Sequence, residues 1–268
     1  MTIRMDGKLL RDAILDEIKK HVHNKRVAFV QMIDDPVTEK FVQAKIKIAE
    51  SLEVTCEHVR CAPKGTADAL DILHALYKEP FDGIVLQLPL PETVDKTILL
   101  SSIPTEKDID LLNEATLALF RKNETKFVPP VAGAILAILN ACVDQPLSTK
   151  KIAIIGKGLL VGKPVMELFD REKIPYDAFD LSNKEEVTRE ALSRADIVIT
   201  GIGNAGYIKK EMIKDGVVLI DAGTSEQHGM ISGDIDEACY EKASFYTPVP
   251  GGVGPVTIAE LYKNLSLT

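Results

Sequence analysis

The chain has 268 residues, 46% hydrophobic and 27% charged, a mixture that builds a packed core and excludes a disordered polymer. Lys and Arg number 32 against 40 Asp and Glu, so the formal net charge of −8 gives no overall pull toward nucleic acid or anionic lipid. No apolar run reaches the roughly 20 residues of a membrane span, and the opening Met1–Gly7 has no apolar signal core, so a cytoplasmic protein without membrane partner is expected.

In chain order, helix-period segments and short apolar runs alternate. A helix over 8–22 precedes a strand over Val27–Ile33, a helix over 38–51, a strand over Val54–Val59, a helix over 66–78 and a strand over Gly83–Leu88. The polar stretch Arg121–Lys126, followed by Phe127-Val128-Pro129-Pro130, marks a boundary. Beyond it come a helix over 131–143, a strand over Ile152–Ile155, a helix over 162–172, and a strand over Ala178–Phe179. A helix over 184–194, strands over Ile197–Thr200 and Val217–Ile220, and a helix over 255–265 complete the order. The runs are rich in Val and Ile and alternate little, as strands covered on both faces do. The fold class expected is α/β, with two α/β domains over 1–127 and 128–254 and a cleft between them. The second is a Rossmann-like doubly wound, mostly parallel sheet, and helix 255–268 returns to the first. Cys56, Cys61, Cys142 and Cys239 form no C-x-x-C pair, and His21, His23, His58, His74 and His228 are scattered, so no metal site is expected.

Ligands in open α/β sheets sit beyond the carboxyl ends of strands. Gly156-Lys157-Gly158-Leu-Leu-Val161-Gly162-Lys163-Pro164 runs from a strand into a helix, as a pyrophosphate-binding turn does. Its G-x-G-x-x-x-G spacing is one residue longer than the usual fingerprint and equally describes an ordinary tight turn. Two further strands end in glycine, at Thr200-Gly201-Ile202-Gly203 and Asp221-Ala222-Gly223-Thr224, so one glycine rim suited to a dinucleotide is expected. Asp180, 24 positions after Gly156, could accept from an unphosphorylated ribose and favour NAD, or merely cap a turn. Lys157 could pair with a 2′-phosphate and favour NADP.

Asp35-Pro36-Val37-Thr38 opens a helix on which Phe41 and Lys45, at i and i+4, share a face just past a strand end. A lysine drawn from water loses pKa and can move protons near neutrality, although most helix lysines are solvated. Gln87 ends a strand in Gln87-Leu88-Pro89-Leu90-Pro91; it is either a satisfied core amide or an orienter for Lys45 or a substrate amide. Lys107-Asp108-Ile109-Asp110 sets two carboxylates near a domain edge. Thr247–Thr257, with Pro248, Pro250 and Pro255 among Gly251, Gly252 and Gly254, is a rigid loop suited to a ligand wall.

Together these blocks, with Ala195–Thr200, Val218–Gly223 and Gly233–Asp236, resemble the bifunctional methylenetetrahydrofolate dehydrogenase/methenyltetrahydrofolate cyclohydrolase family over essentially the whole chain. The resemblance implies oxidation of 5,10-methylenetetrahydrofolate with NADP (NAD possible) and hydrolysis to 10-formyltetrahydrofolate, in one-carbon metabolism serving purine biosynthesis, by a homodimer. It implies Lys45 as catalytic lysine, Gln87 as its partner and Asp110 as a pterin contact. The folate would lie against Phe41, Leu88, Pro89, Pro250, Gly251 and Gly252. The coenzyme would lie against Gly156, Lys157, Gly158, Val161, Gly162, Pro164, Asp180, Thr200, Gly201, Gly203, Gly223 and Thr257. The chain departs from the family in four places. Phe41 stands for Tyr, Leu111 for the Gly after the K-D-x-D block, Lys157-Gly158 for Arg-Ser, and Pro129-Pro130-Val131-Ala132 for P-C-T-P. A monofunctional dehydrogenase, another two-domain NAD(P)-dependent dehydrogenase, or a non-catalytic nucleotide- or folate-binding protein are the other readings.

Overall fold

The computed structural model describes residues 2–227 and 230–268, the side chains of 226, 227 and 230 excepted; Met1 and His228 lie outside the described residues. The chain forms two compact units, one of Ile14–Pro130 with Glu260–Thr268, the other of Met1–Ala13 with Val131–Ala259. In chain order, β1 (Ile3–Arg4), α1 (Gly7–Val22), β2 (Arg26–Gln31), α2 (Pro36–Ser51), β3 (Thr55–Arg60), α3 (Thr66–Tyr77) and β4 (Gly83–Gln87) come first. Then follow α4 (Lys96–Ser102), α5 (Glu114–Arg121), α6 (Pro130–Cys142), β5 (Ile152–Ile155), α7 (Gly162–Arg171), β6 (Asp177–Phe179), α8 (Glu185–Arg194), β7 (Ile197–Thr200) and β8 (Val217–Asp221). The hairpin β9 (Ser225–Gln227) and β10 (Met230–Ser232), then β11 (Ala243–Tyr246) and α9 (Val253–Leu265), complete the chain.

The first unit carries a parallel sheet ordered β3-β2-β4. β2 is central and its Val27, Ala28, Phe29 and Val30 are fully buried, as an unalternating run requires. β3 is an edge strand with an exposed face, unlike the two-sided covering expected of it. Gly83 opens β4 because a Cβ there would come 2.7 Å from the Ile109 side chain.

The second unit carries a parallel sheet ordered β1-β11-β8-β7-β5-β6. From β5 the chain moves to β6 on one side and later to β7 on the other, so the switch point lies at the carboxyl ends of β5 and β7, where a doubly wound sheet takes its ligand. β5, β7 and β8 are buried throughout and pack with Leu192, Ile208, Met212 and Cys239. β6 is an edge strand and is partly exposed.

The chain start adds a short strand to the sheet of the second unit. Ile3–Arg4 pairs with β11, and the Met5 and Gly7 amides donate to the carbonyls of Tyr246 and Gly251 at 3.0 Å each. A two-residue strand carries no periodicity, and β11 hides beside the proline–glycine loop. All four cysteines are free thiols. Among the described residues no helix is long and apolar enough to cross a membrane, and no group of three His, Cys, Asp or Glu side chains could hold a metal.

Candidate active site

α2 begins at Pro36, two residues before the expected 38, within the Asp35–Thr38 start signal. The Asp35 carboxylate caps it by accepting from the Thr38 amide at 2.7 Å, and Pro36 fills the first turn, where no amide is needed. The helix presents Phe41, 37% exposed, and the half-buried Lys45 one turn apart. Lys45 Nζ donates to Gln87 Oε1 at 2.9 Å, and Gln87 Nε2 donates to the Leu88 carbonyl at 3.2 Å. The end of β4 therefore orients the amine through an amide that is itself held. Leu88 and Pro89, joined by a cis peptide bond, continue directly from that amide. Burial draws the Lys45 pKa below 10.5, against the opposing pull of Asp110. The same burial raises Asp110, and Lys45 partly offsets it.

Asp110 stands on a loop built around Asp108. The Asp108 carboxylate is fully buried and accepts from the amides of Leu112 and Asn113 at 3.1 and 2.9 Å. Burial pushes its pKa up to about 6, with Asp110 adding repulsion. Leu111, where the family commonly has glycine, holds φ of 51°. That is the left-handed region a glycine enters freely and a leucine occupies at a cost. Two residues of α9 that sequence reasoning missed fasten these parts. The Tyr262 hydroxyl donates to the Lys45 carbonyl at 2.8 Å, and Asn264 Nδ2 donates to the carbonyls of Ile109 and Val128 at 2.8 and 2.7 Å. Both side chains are buried, and a buried polar group on an apolar helix was the only available signal.

In the second unit the glycine turn closes on itself. Gly156 has φ of 105°, and a Cβ on Gly162 would lie 1.8 Å from the Gly156 carbonyl oxygen. A Cβ on Gly201 would strike the Val161 side chain at 2.4 Å, so Val161 joins the turn after β5 to the end of β7. Gly156 and Val161 thus meet Gly201 at one rim; Gly158 and Pro164 follow on the same turn and the first turn of α7, and Thr200 and Gly203 flank Gly201 along the chain. Asp180 accepts at one oxygen from the amide and hydroxyl of Ser182, and its other oxygen lies 3.8 Å from Lys157 Nζ. The two rival ribose readers are therefore an ion pair. These hydrogen bonds, with Lys157, hold the Asp180 pKa below 3.8. Pro250, Gly251 and Gly252 lie on the loop before α9 in this same unit. Thr257 Oγ1 donates within α9 to the Val253 carbonyl at 3.1 Å.

Beneath the rim are two buried carboxylates that sequence reasoning did not single out. Asp221 accepts from the amides of Gly223, Asp234 and Ile235 at 3.0, 3.2 and 2.9 Å. Asp234 accepts from the Thr200 hydroxyl and the amides of Ile202 and Asn204 at 2.9, 2.7 and 2.8 Å. Burial, aided by Asp234, pushes the Asp221 pKa up to about 7.

A parallel sheet with glycine-lined strand ends at its switch point is the arrangement used by dinucleotide-binding domains. Residues 129–268 match the model of the tetrahydrofolate dehydrogenase/cyclohydrolase NAD(P)-binding domain, and residues 5–110 match the catalytic domain of the same family. The chain belongs to the tetrahydrofolate dehydrogenase/cyclohydrolase family. It is 37% identical to the bifunctional protein FolD of Mycoplasmopsis synoviae over 275 residues, covering 97% of each protein. The crystal structure of the bifunctional enzyme FolD from Campylobacter jejuni superposes with a TM-score of 0.91 at 28% identity, covering 99% of this chain and 98% of that one. The Trypanosoma brucei dehydrogenase-cyclohydrolase, solved with NADP and an inhibitor, gives 0.90 at 27% identity over 98% and 96%.

Proposed function

We propose that this chain oxidises 5,10-methylenetetrahydrofolate to the methenyl cation with NADP and hydrolyses that cation to 10-formyltetrahydrofolate, with Lys45, Gln87 and Asp110 as the working side chains. The observation that carries the assignment is the Lys45–Gln87 hydrogen bond at 2.9 Å, made by a lysine whose pKa burial has lowered and which feels Asp110. A lowered pKa makes the neutral amine easier to reach than for an ordinary lysine. A neutral amine can accept a proton from water attacking the methenyl carbon and return it to the departing ring nitrogen, while the remaining hydroxyl proton leaves to solvent as the formyl C=O forms. An ammonium beside a cationic substrate would oppose binding, so the same lowering serves affinity.

Gln87 fixes the direction of the lone pair. Asp110 accepts from the pterin edge, and its charge favours the cation. Phe41 stacks on a flat ring of the folate, which needs its face and not a hydroxyl. Leu88 and Pro89 continue the wall. Hydride transfer needs no base, because the adjacent nitrogen stabilises the developing cation; there the protein positions the reactants.

The glycine rim takes the pyrophosphate. Lys157 supplies the charge for a 2′-phosphate, while its partner Asp180 limits the preference for NADP over NAD. The reading extends to a cytoplasmic homodimer that supplies one-carbon units for purine biosynthesis, its net charge of −8 offering nothing to nucleic acid.

The test mixes the protein with methylenetetrahydrofolate and each coenzyme. Growth of the reduced-nicotinamide absorbance followed by 10-formyltetrahydrofolate is the expected result. Reduction without ring opening would reduce the function to a dehydrogenase, and no reduction with either coenzyme would leave a binding protein.

A further inference from the structure

We infer that Asp234 is a positioning residue for hydride transfer: from beneath the sheet end it fixes the loop Thr200–Asn204 that carries the coenzyme, without touching the coenzyme itself. Three donors of one short loop converge on this carboxylate, the Thr200 hydroxyl and the amides of Ile202 and Asn204. The two amides belong to a glycine turn in which Gly203 has φ of 75°. Both of these amides find their acceptor in Asp234, while the Gly201 amide donates to the Ile155 carbonyl at 3.0 Å.

The carboxylate is itself immobilised. It occupies the space a side chain would take at Gly223, where a Cβ would lie 2.2 Å from the Asp234 carboxyl carbon. Asp221 does the same at Gly233, 2.2 Å from a Cβ there, while accepting from the Asp234 amide. Two aspartates and two glycines thus interlock, each carboxylate lying over the glycine that neighbours the other. Such a buried pair is retained only where every oxygen is engaged. Asp234 is fully buried, so its effect on a ligand passes through the loop.

Asp234→Asn is a strict test. One oxygen accepts from Ile202 and the other from Asn204, so whichever position the new NH2 takes, it faces a backbone amide that loses its acceptor. The inference rests on the proposed dehydrogenase–cyclohydrolase reading, but coenzyme Kd measured by titration calorimetry needs neither activity. Absence of turnover in the wild type would therefore defeat that reading and leave this one measurable. The expected result is a coenzyme Kd and KM raised about ten- to hundredfold, the scale of one orphaned buried donor. Cyclohydrolase rate, whose residues belong to the other compact unit, stays within about twofold of wild type. Unchanged coenzyme Kd, or a parallel fall of both activities with unchanged coenzyme KM, would overturn it. Should Asp234→Asn fail to fold, Thr200→Val removes one of the three donors; a Kd raised about threefold is expected, and an unchanged Kd overturns the inference.

Discussion

Lys45→Met removes the amine while keeping a chain of similar length and apolar bulk on α2. Two local losses follow. Gln87 Oε1 loses the donor at 2.9 Å, and Asp110 loses the charge of Lys45 that lowers its raised pKa. The first costs about 1–3 kcal/mol where a polar atom is left unpaired, and the water beside a half-buried site recovers part of it. The chemical loss is larger. A positioned acid–base group contributes about 10²–10⁴-fold to rate, and the cyclohydrolase step is the one that moves protons. We expect the decay of methenyltetrahydrofolate absorbance to slow by that factor, while hydride transfer, followed by nicotinamide reduction, falls by less than about tenfold. The sign of a secondary effect is also fixed. Without the lysine, Asp110 holds its proton to higher pH, so folate KM in the variant falls as pH rises. Equal loss of both activities with weaker folate binding would make Lys45 a binding group and refute the assignment.

Three further outcomes are expected. Asp180→Ser removes the carboxylate paired with Lys157 at 3.8 Å; the ratio of kcat/KM for NADP to that for NAD rises about tenfold, the scale of one released charge contact, and an unchanged ratio removes Asp180 from coenzyme choice. Leu111 holds φ of 51°, so Leu111→Gly is more stable to urea than Leu111→Ala by about 1 kcal/mol, although both lose the buried side chain; the reverse order would show no strain there. Asp221 has a folded pKa of about 7 against 3.8 when unfolded, so its contribution to stability is complete below 3.8 and is lost as pH rises through about 7. The unfolding free energy of wild type relative to Asp221→Asn therefore falls between pH 5 and 7, and a rise over that window would contradict burial of the carboxylate.

The parts legible in the sequence are those where one element suffices. Unbroken apolar runs gave β2, β4, β5, β7 and β8 nearly to the residue, because strands covered on both faces need not alternate. Asp35 and Pro36 announced the start of α2, and the i, i+4 spacing placed Phe41 and Lys45 on one face. Parts made by long-range pairing were not legible. The two-residue β1 exists only because β11 receives it. Tyr262 and Asn264 reach across more than 100 positions to Lys45, Ile109 and Val128, and nothing local in α9 marks them as supports. Asp221 and Asp234 are 13 residues apart and lie in two separate blocks, Val218–Gly223 and Gly233–Asp236; only the glycines beside them, bare because each must admit the other's carboxylate, hint at the interlock. Leu111 departs from the family at a position whose left-handed backbone the sequence does not display.

Proton transfer at this site depends on a buried amine that gives up its proton more readily than an ordinary lysine. Protein labelled with 15N at lysine Nζ, with Lys45→Met as the assignment control, allows that group to be titrated directly by NMR. A midpoint for Lys45 clearly below the ordinary 10.5 is the predicted result; a midpoint at or above that value would mean Lys45 stays an ammonium through the reaction and would contradict its role as proton carrier.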